Sequence, residues 1–96
     1  MFYFEKQPGE ETTRAVDFSQ TAELENDEII ISATVAVTLN GVATTGILVS
    51  DEVSGDKVLF RVKGGTDGKE YKITVKMTTN VGHVREADIR MGVREI

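Results

Sequence analysis

The chain has 96 residues, no cysteine, no tryptophan, a net charge of −5, and 40% hydrophobic against 28% charged content. This length suits one domain with one hydrophobic core, and the missing cysteines exclude a disulfide, a thiolate metal site and a thiol nucleophile. The acidic balance argues against nucleic acid as a partner, because neutralising phosphates needs a basic surface, and no run approaches the ~20 apolar residues of a membrane span.

Residues 1–13 form an N-terminal arm or an edge strand. Phe2 and Phe4 alternate with Tyr3 and Glu5, and Pro8-Gly9 then stops any strand, since Pro lacks an N–H and fixes φ. As an arm, Phe2, Tyr3 and Phe4 would be a sticky segment that orders on a partner; as a strand, they would extend a sheet of their own domain. Residues 1–6 lack the basic and long apolar regions of a signal peptide, so the expectation is a product held in the host cytoplasm until it leaves inside an assembly. Residues 14–96 are expected to make the main domain. Its first strand falls on residues 14–19, with Ala15, Val16 and Phe18 as apolar members.

Residues 20–28 are acidic, with Glu23, Glu25, Asp27 and Glu28 around Leu24, and read as a solvated loop. Their spacing lacks the Gly and alternating ligands of a calcium loop. Residues 28–39 make the longest strand, with Ile29, Ile31, Ala33, Val35, Val37 and Leu39 on one face. Asn40-Gly41 signals a tight hairpin, because both central positions of a type I′ turn need positive φ. A strand over 42–50 follows, weakened at Gly46, and 51–56 reads as an acidic turn.

Val58, Phe60 and Val62 then alternate with Leu59, Arg61 and Lys63, and Tyr71, Ile73, Val75 and Met77 alternate with Lys72, Thr74, Lys76 and Thr78. Successive side chains of a strand point to opposite faces, so each run is half buried. Between them Gly64, Gly65, Thr66 and Gly68 form a corner that tolerates positive φ, and Tyr71 just after it is expected to bury its ring and bond its hydroxyl to upstream backbone. Residues 80–83 read as a hairpin loop before the last strand, 84–93, whose apolar face is Ala87, Ile89, Met91 and Val93. A pivot at Gly82 would set Met77 opposite Ala87, Tyr71 opposite Val93 and Lys76 opposite Asp88. The pattern is all-β: an antiparallel immunoglobulin/fibronectin-III-like β-sandwich of six or seven strands.

No constellation of catalytic residues stands out. His83 is the one histidine and sits in a predicted hairpin tip; a triad would need a nucleophile, a base and an orienting acid. The Gly64-to-Lys69 stretch lacks the following helix and the Lys-Ser/Thr pair of a phosphate loop. No catalytic, cofactor or metal residues are assigned, and no small-molecule substrate or membrane is expected. Arg85, Arg90 and Arg94, with Lys72 and Lys76, could line an outer basic stripe, although interspersed surface charge is the commoner outcome; Arg85 and Arg90 join Phe2, Tyr3 and Phe4 as candidate partner-binding residues.

Several short motifs resemble a family of small Ig-like or fibronectin-III-like proteins of phage and prophage structural gene clusters. They are Gly64, Gly65, Thr66 and Gly68 before Tyr71, then Thr78, Thr79, Gly82, Arg85 and Glu86. Lys6-Gln7-Pro8-Gly9-Glu10 is similar to that family's Lys-x-Pro start, Val16-Asp17-Phe18-Ser19 to its Asp-aromatic-Ser segment, and Asp27-Glu28-Ile29-Ile30 to its acidic lead into the long strand. The family often carries two Trp residues; here Phe18, Phe60 and Tyr71 must fill the aromatic core. The resemblance implies a non-enzymatic virion or tail component of the fiber–tail adaptor kind, with other virion or tail proteins as partners. The alternative is a free-standing binding module that uses its loops on carbohydrate or a host protein.

Overall fold

A computed structural model describes residues 2–18 and 29–95. Eight strands are defined among them: β1 (Phe2–Lys6), β2 (Thr12–Asp17), β3 (Ile30–Leu39), β4 (Val42–Ala43), β5 (Leu48–Ser54), β6 (Lys57–Val62), β7 (Glu70–Thr79) and β8 (Val84–Val93). They form a five-stranded sheet in the order β1-β8-β7-β3-β4 and a three-stranded sheet in the order β2-β6-β5. Every pairing is antiparallel except β1 on β8. The chain is a β-sandwich, as its alternation predicts. The acidic segment with Glu23, Glu25, Asp27 and Glu28, and with it the calcium-loop question, lies outside the described residues.

The core is the shared inner face of the two sheets. Val16, Val58, Phe60 and Val62 come from the small sheet, and Ile30, Val37, Tyr71, Ile73, Val75, Met77, Ile89, Met91 and Val93 from the large one. Phe18 and Ile47 add to it from just beyond β2 and just before β5. Phe18, Phe60 and Tyr71 are all at most 3% exposed, so they are the aromatic filling of the core. Burying one such ring contributes roughly 1.5–3 kcal/mol.

The expected β7–β8 register is corrected by two residues. Tyr71 faces Met91, Ile73 faces Ile89, Val75 faces Ala87 and Met77 faces Arg85. The slip is even, so the apolar faces stay inward. Its cause is the turn: Gly82 N–H donates to Thr79 O at 3.0 Å, Thr79 N–H donates to His83 O at 2.9 Å, and Gly82 has φ 85°. Gly82 is therefore the left-handed residue that closes a three-residue loop, and the pivot is Val81.

Three further expectations change. Ile29 and Ile31 do not share the inner face of β3; they are 55% and 59% exposed, and Ile30 is buried instead. A bulge between Ile30 and Ser32 inserts one residue opposite β7 and inverts the alternation there. The strand read over 42–50 divides. Asn40 and Gly41 take φ 53° and 81° and return the chain as β4, and Gly46, with φ 83°, then lets it cross to the other sheet. The acidic stretch 51–56 is mostly strand: β5 runs through Ser54, and only Gly55 and Asp56 turn. Of the two readings of the N-terminal segment, the structure has the edge strand: β1 borders the large sheet, with Phe2 beside Ile89 and Lys6 beside Val93.

Candidate functional site

The Gly-rich corner, the end of β1 and the end of β8 meet at one end of the sandwich. Gly64, Gly65 and Gly68 have φ of 68°, 97° and 85°, a region that L side chains rarely enter. The corner ties itself to β8 by Gly68 N–H to Val93 O at 2.8 Å and Val93 N–H to Lys69 O at 2.9 Å. Tyr71 lies beneath it, 3% exposed, and its hydroxyl accepts from Thr66 N–H at 3.0 Å. A Cβ on Gly65 would lie 2.7 Å from Val93 Cγ2 and 3.4 Å from Tyr71 Cε1, so the corner seats directly on both side chains.

Lys6 is the residue sequence reasoning missed here. It is 3% exposed, and its Nζ donates to Gly64 O at 2.5 Å and Gln7 O at 2.6 Å. Burial pushes its pKa below the ordinary lysine value, and Glu10 and Tyr71 partly oppose that shift. A lysine in a motif reads as exposed by default, because its stem can be covered while its charge stays in water. What marks Lys6 is its phase: it alternates with Glu5 and falls on the same face as Phe4.

The outer face of β1 and β8 carries a second contact. Tyr3, 54% exposed, lies against Gly92, where a Cβ would meet its hydroxyl oxygen at 2.5 Å. The Tyr3 hydroxyl and the Glu5 carboxylate, the latter at 2.8 Å, both engage Arg94 and raise its pKa. Gly92 is the glycine within a long strand, which is itself a sequence signal for close approach of another group.

The candidate partner-binding residues separate. Phe4 turns inward, half buried against the core, with its ring centroid 6.5 Å from that of Phe60. The side chain of Phe2 lies outside the described residues. Tyr3 and Arg90 are neighbours in the β1–β8 register and face outward. Arg85 is opposite Met77, on the other parity, and donates to Val84 O at 3.3 Å. Of the two outcomes open to these cations, the structure has the interspersed one. Lys72 reaches Asp88 at 3.6 Å, Arg90 reaches Glu70 at 4.0 Å, Arg94 holds Glu5, and Thr74 Oγ1 donates to Asp88 Oδ1 at 3.0 Å. Lys72, Arg90 and Arg94 thus each stand beside a carboxylate.

His83 is exposed in the hairpin, with its N–H on Thr79 Oγ1 at 3.2 Å. Among the described residues no group of three or more His, Asp or Glu is placed to hold a metal ion. A groove of about 320 Å³ lies beside Lys6, lined by Glu5, Lys6, Gln7, Glu10 and Arg94. Its charges balance, and the Lys6 ammonium is engaged by backbone carbonyls.

No curated protein matches the chain. A family model does, over residues 6–91, from the buried lysine to Met91 in the middle of the core. The match spans both sheets, the Gly-rich corner and the β7–β8 hairpin, and the chain belongs to the family of the podophage GP4 fiber-tail adaptor protein gp77.

Proposed function

We propose that this chain is a non-enzymatic structural adaptor of a phage or prophage particle, placed in the tail and fiber region and acting through protein–protein contacts. The family match carries this reading. The surface chemistry is consistent with it: the described residues singled out above serve strand pairing, a corner and interspersed ion pairs. The partners are other tail or fiber proteins, met as the chain passes from the host cytoplasm into the assembling virion. Of the residues singled out from sequence, Tyr3 and Arg90 offer such a partner one continuous outward surface. A Tyr–Arg pair suits that role, because both types are enriched where interfaces concentrate their binding energy.

Purified particles test this directly. The protein should be found in them by mass spectrometry and located at the tail by cryo-EM, and deleting its gene should give particles with fibers missing. Its absence from particles, together with normal assembly after deletion, would sink the proposal. Tyr3→Ala with Arg90→Ala should lower incorporation while the isolated chain keeps its fold.

A further inference from the structure

We propose that copies of this chain add to one another head to tail through the three-stranded sheet, β2 of one copy pairing along the open edge of β5 of the next. The occupant of the β5 edge is thus a second copy. This follows from the register and not from the family.

The order β2-β6-β5 leaves β2 and β5 at opposite edges, with no second strand partner for either among the described residues. An unpaired edge is a row of backbone donors and acceptors ready for another strand. Along β5, residues 49–54 are all exposed, whichever face they point to, and Val49 and Val53 are 44% and 37% exposed. A strand bare on both faces has surface left to cover.

The charges decide what can cover it. Arg14 and Asp51 both pair with Phe60, so they occupy one row of the sheet, at opposite edges, on the face that turns Phe60 into the core. Both are exposed, and the Arg14 guanidinium stands 4.8 Å over the Phe4 ring. β2 and β5 are each antiparallel to β6, and so run in the same direction. A second copy displaced across the sheet would continue it with a parallel pair and bring its Arg14 beside Asp51. Pairing β5 with β5 would instead gather Asp51 and Glu52 of two copies, and pairing β2 with β2 would bring two Arg14 together. Like charges across strands are destabilising, and inward charges on an edge are a known means of refusing a strand. The two edges therefore repel themselves and attract each other. Such a contact is heterologous, so it builds a ring if the rotation closes and a filament if it does not.

The other edges do not offer this. The inward charge of β1, Lys6, is already engaged within its own subunit, and β4 has two residues.

Sedimentation velocity on the full chain tests the proposal. Wild type should associate with rising concentration, and more weakly at high salt. Arg14→Asp and Asp51→Arg should each weaken association about tenfold, as an attractive pair becomes a repulsive one. The double swap should restore it, and so should mixing the two single variants. A chain that stays monomeric at all concentrations, or single swaps without effect, or a double swap that fails to restore association, would overturn the proposal. Should a swap impair folding, cross-linking replaces it, since the chain has no cysteine of its own. Thr13→Cys and Ser50→Cys, which both sit opposite Arg61, should form mixed disulfide dimers when combined. Ser50→Cys dimers forming in preference would show a β5–β5 contact and overturn the head-to-tail arrangement.

Discussion

β1 and β5 are both edge strands, and they are built in opposite ways. β1 is anchored from every side: Phe4 on the core, Lys6 on the corner, Tyr3 and Glu5 with Arg94. β5 is joined mainly by its backbone to β6, and its side chains from 49 onward face water. Yet the sequence leaves the first open between a free arm and an edge strand, and half of the second reads as a turn. The difference teaches that an apolar alternation reports which residues will be buried, whereas a strand needs only a neighbour to bond. β5 has the neighbour without the pattern, supplied by the Gly55–Asp56 turn that folds it back on β6.

The strongest way to break this contrast is at the corner on which β1 depends. Gly65→Ala should cost about 3 kcal/mol, combining a left-handed backbone with overlap on Val93. Chemical denaturation should show the loss, and a change under 1 kcal/mol would mean that the corner is not seated as described. Phe4→Ala should follow at about 2 kcal/mol, since its half-buried ring leaves a smaller hole than a fully buried one. Hydrogen exchange should then show residues 2–6 opening ahead of the rest.

Tyr71→Phe comes next. It keeps the ring and removes the acceptor for Thr66 N–H, at a cost of roughly 0.5–1.5 kcal/mol. Lys6 gives a pH dependence of definite sign. Its folded-state pKa lies below 10.5, so between that lowered value and 10.5 the unfolded chain holds more protons than the folded one. Stability contributed by Lys6 is therefore smallest below the lowered pKa and rises as pH climbs towards 10.5. The melting temperature of wild type minus that of Lys6→Met should increase over this window; a flat difference would show that the ammonium is not desolvated. Smallest of all, Val53→Thr in β5 should change the stability of the isolated chain by no more than about 0.5 kcal/mol. A large loss there would show that β5 is packed and end the contrast with β1.

The sequence by itself determined the layers of this protein. Strict alternation through Val58, Phe60 and Val62 and through Tyr71, Ile73, Val75 and Met77 admits one inward face, because a side chain cannot change sides without a one-residue slip. Asn40-Gly41 likewise dictated its turn, since few other pairs accept two positive φ values. Only the tertiary structure decided the rest. The bulge at Ile31 swaps Ile30 into the core, opposite Thr79 at the end of β7, where the local sequence offers three isoleucines in a row, Ile29, Ile30 and Ile31. The pivot at Val81 depended on hydrogen bonds that place Gly82 at the close of the loop and not at its centre. Lys6 is buried because the carbonyls of Gly64 and Gln7 converge on it, and Gly64 comes from a segment far along the chain. Neither the row shared by Arg14 and Asp51 nor the pairing of Tyr3 with Arg90 could be read along the chain. Both depend on which strand lies beside which, and that is set by long-range pairing, not by the local pattern.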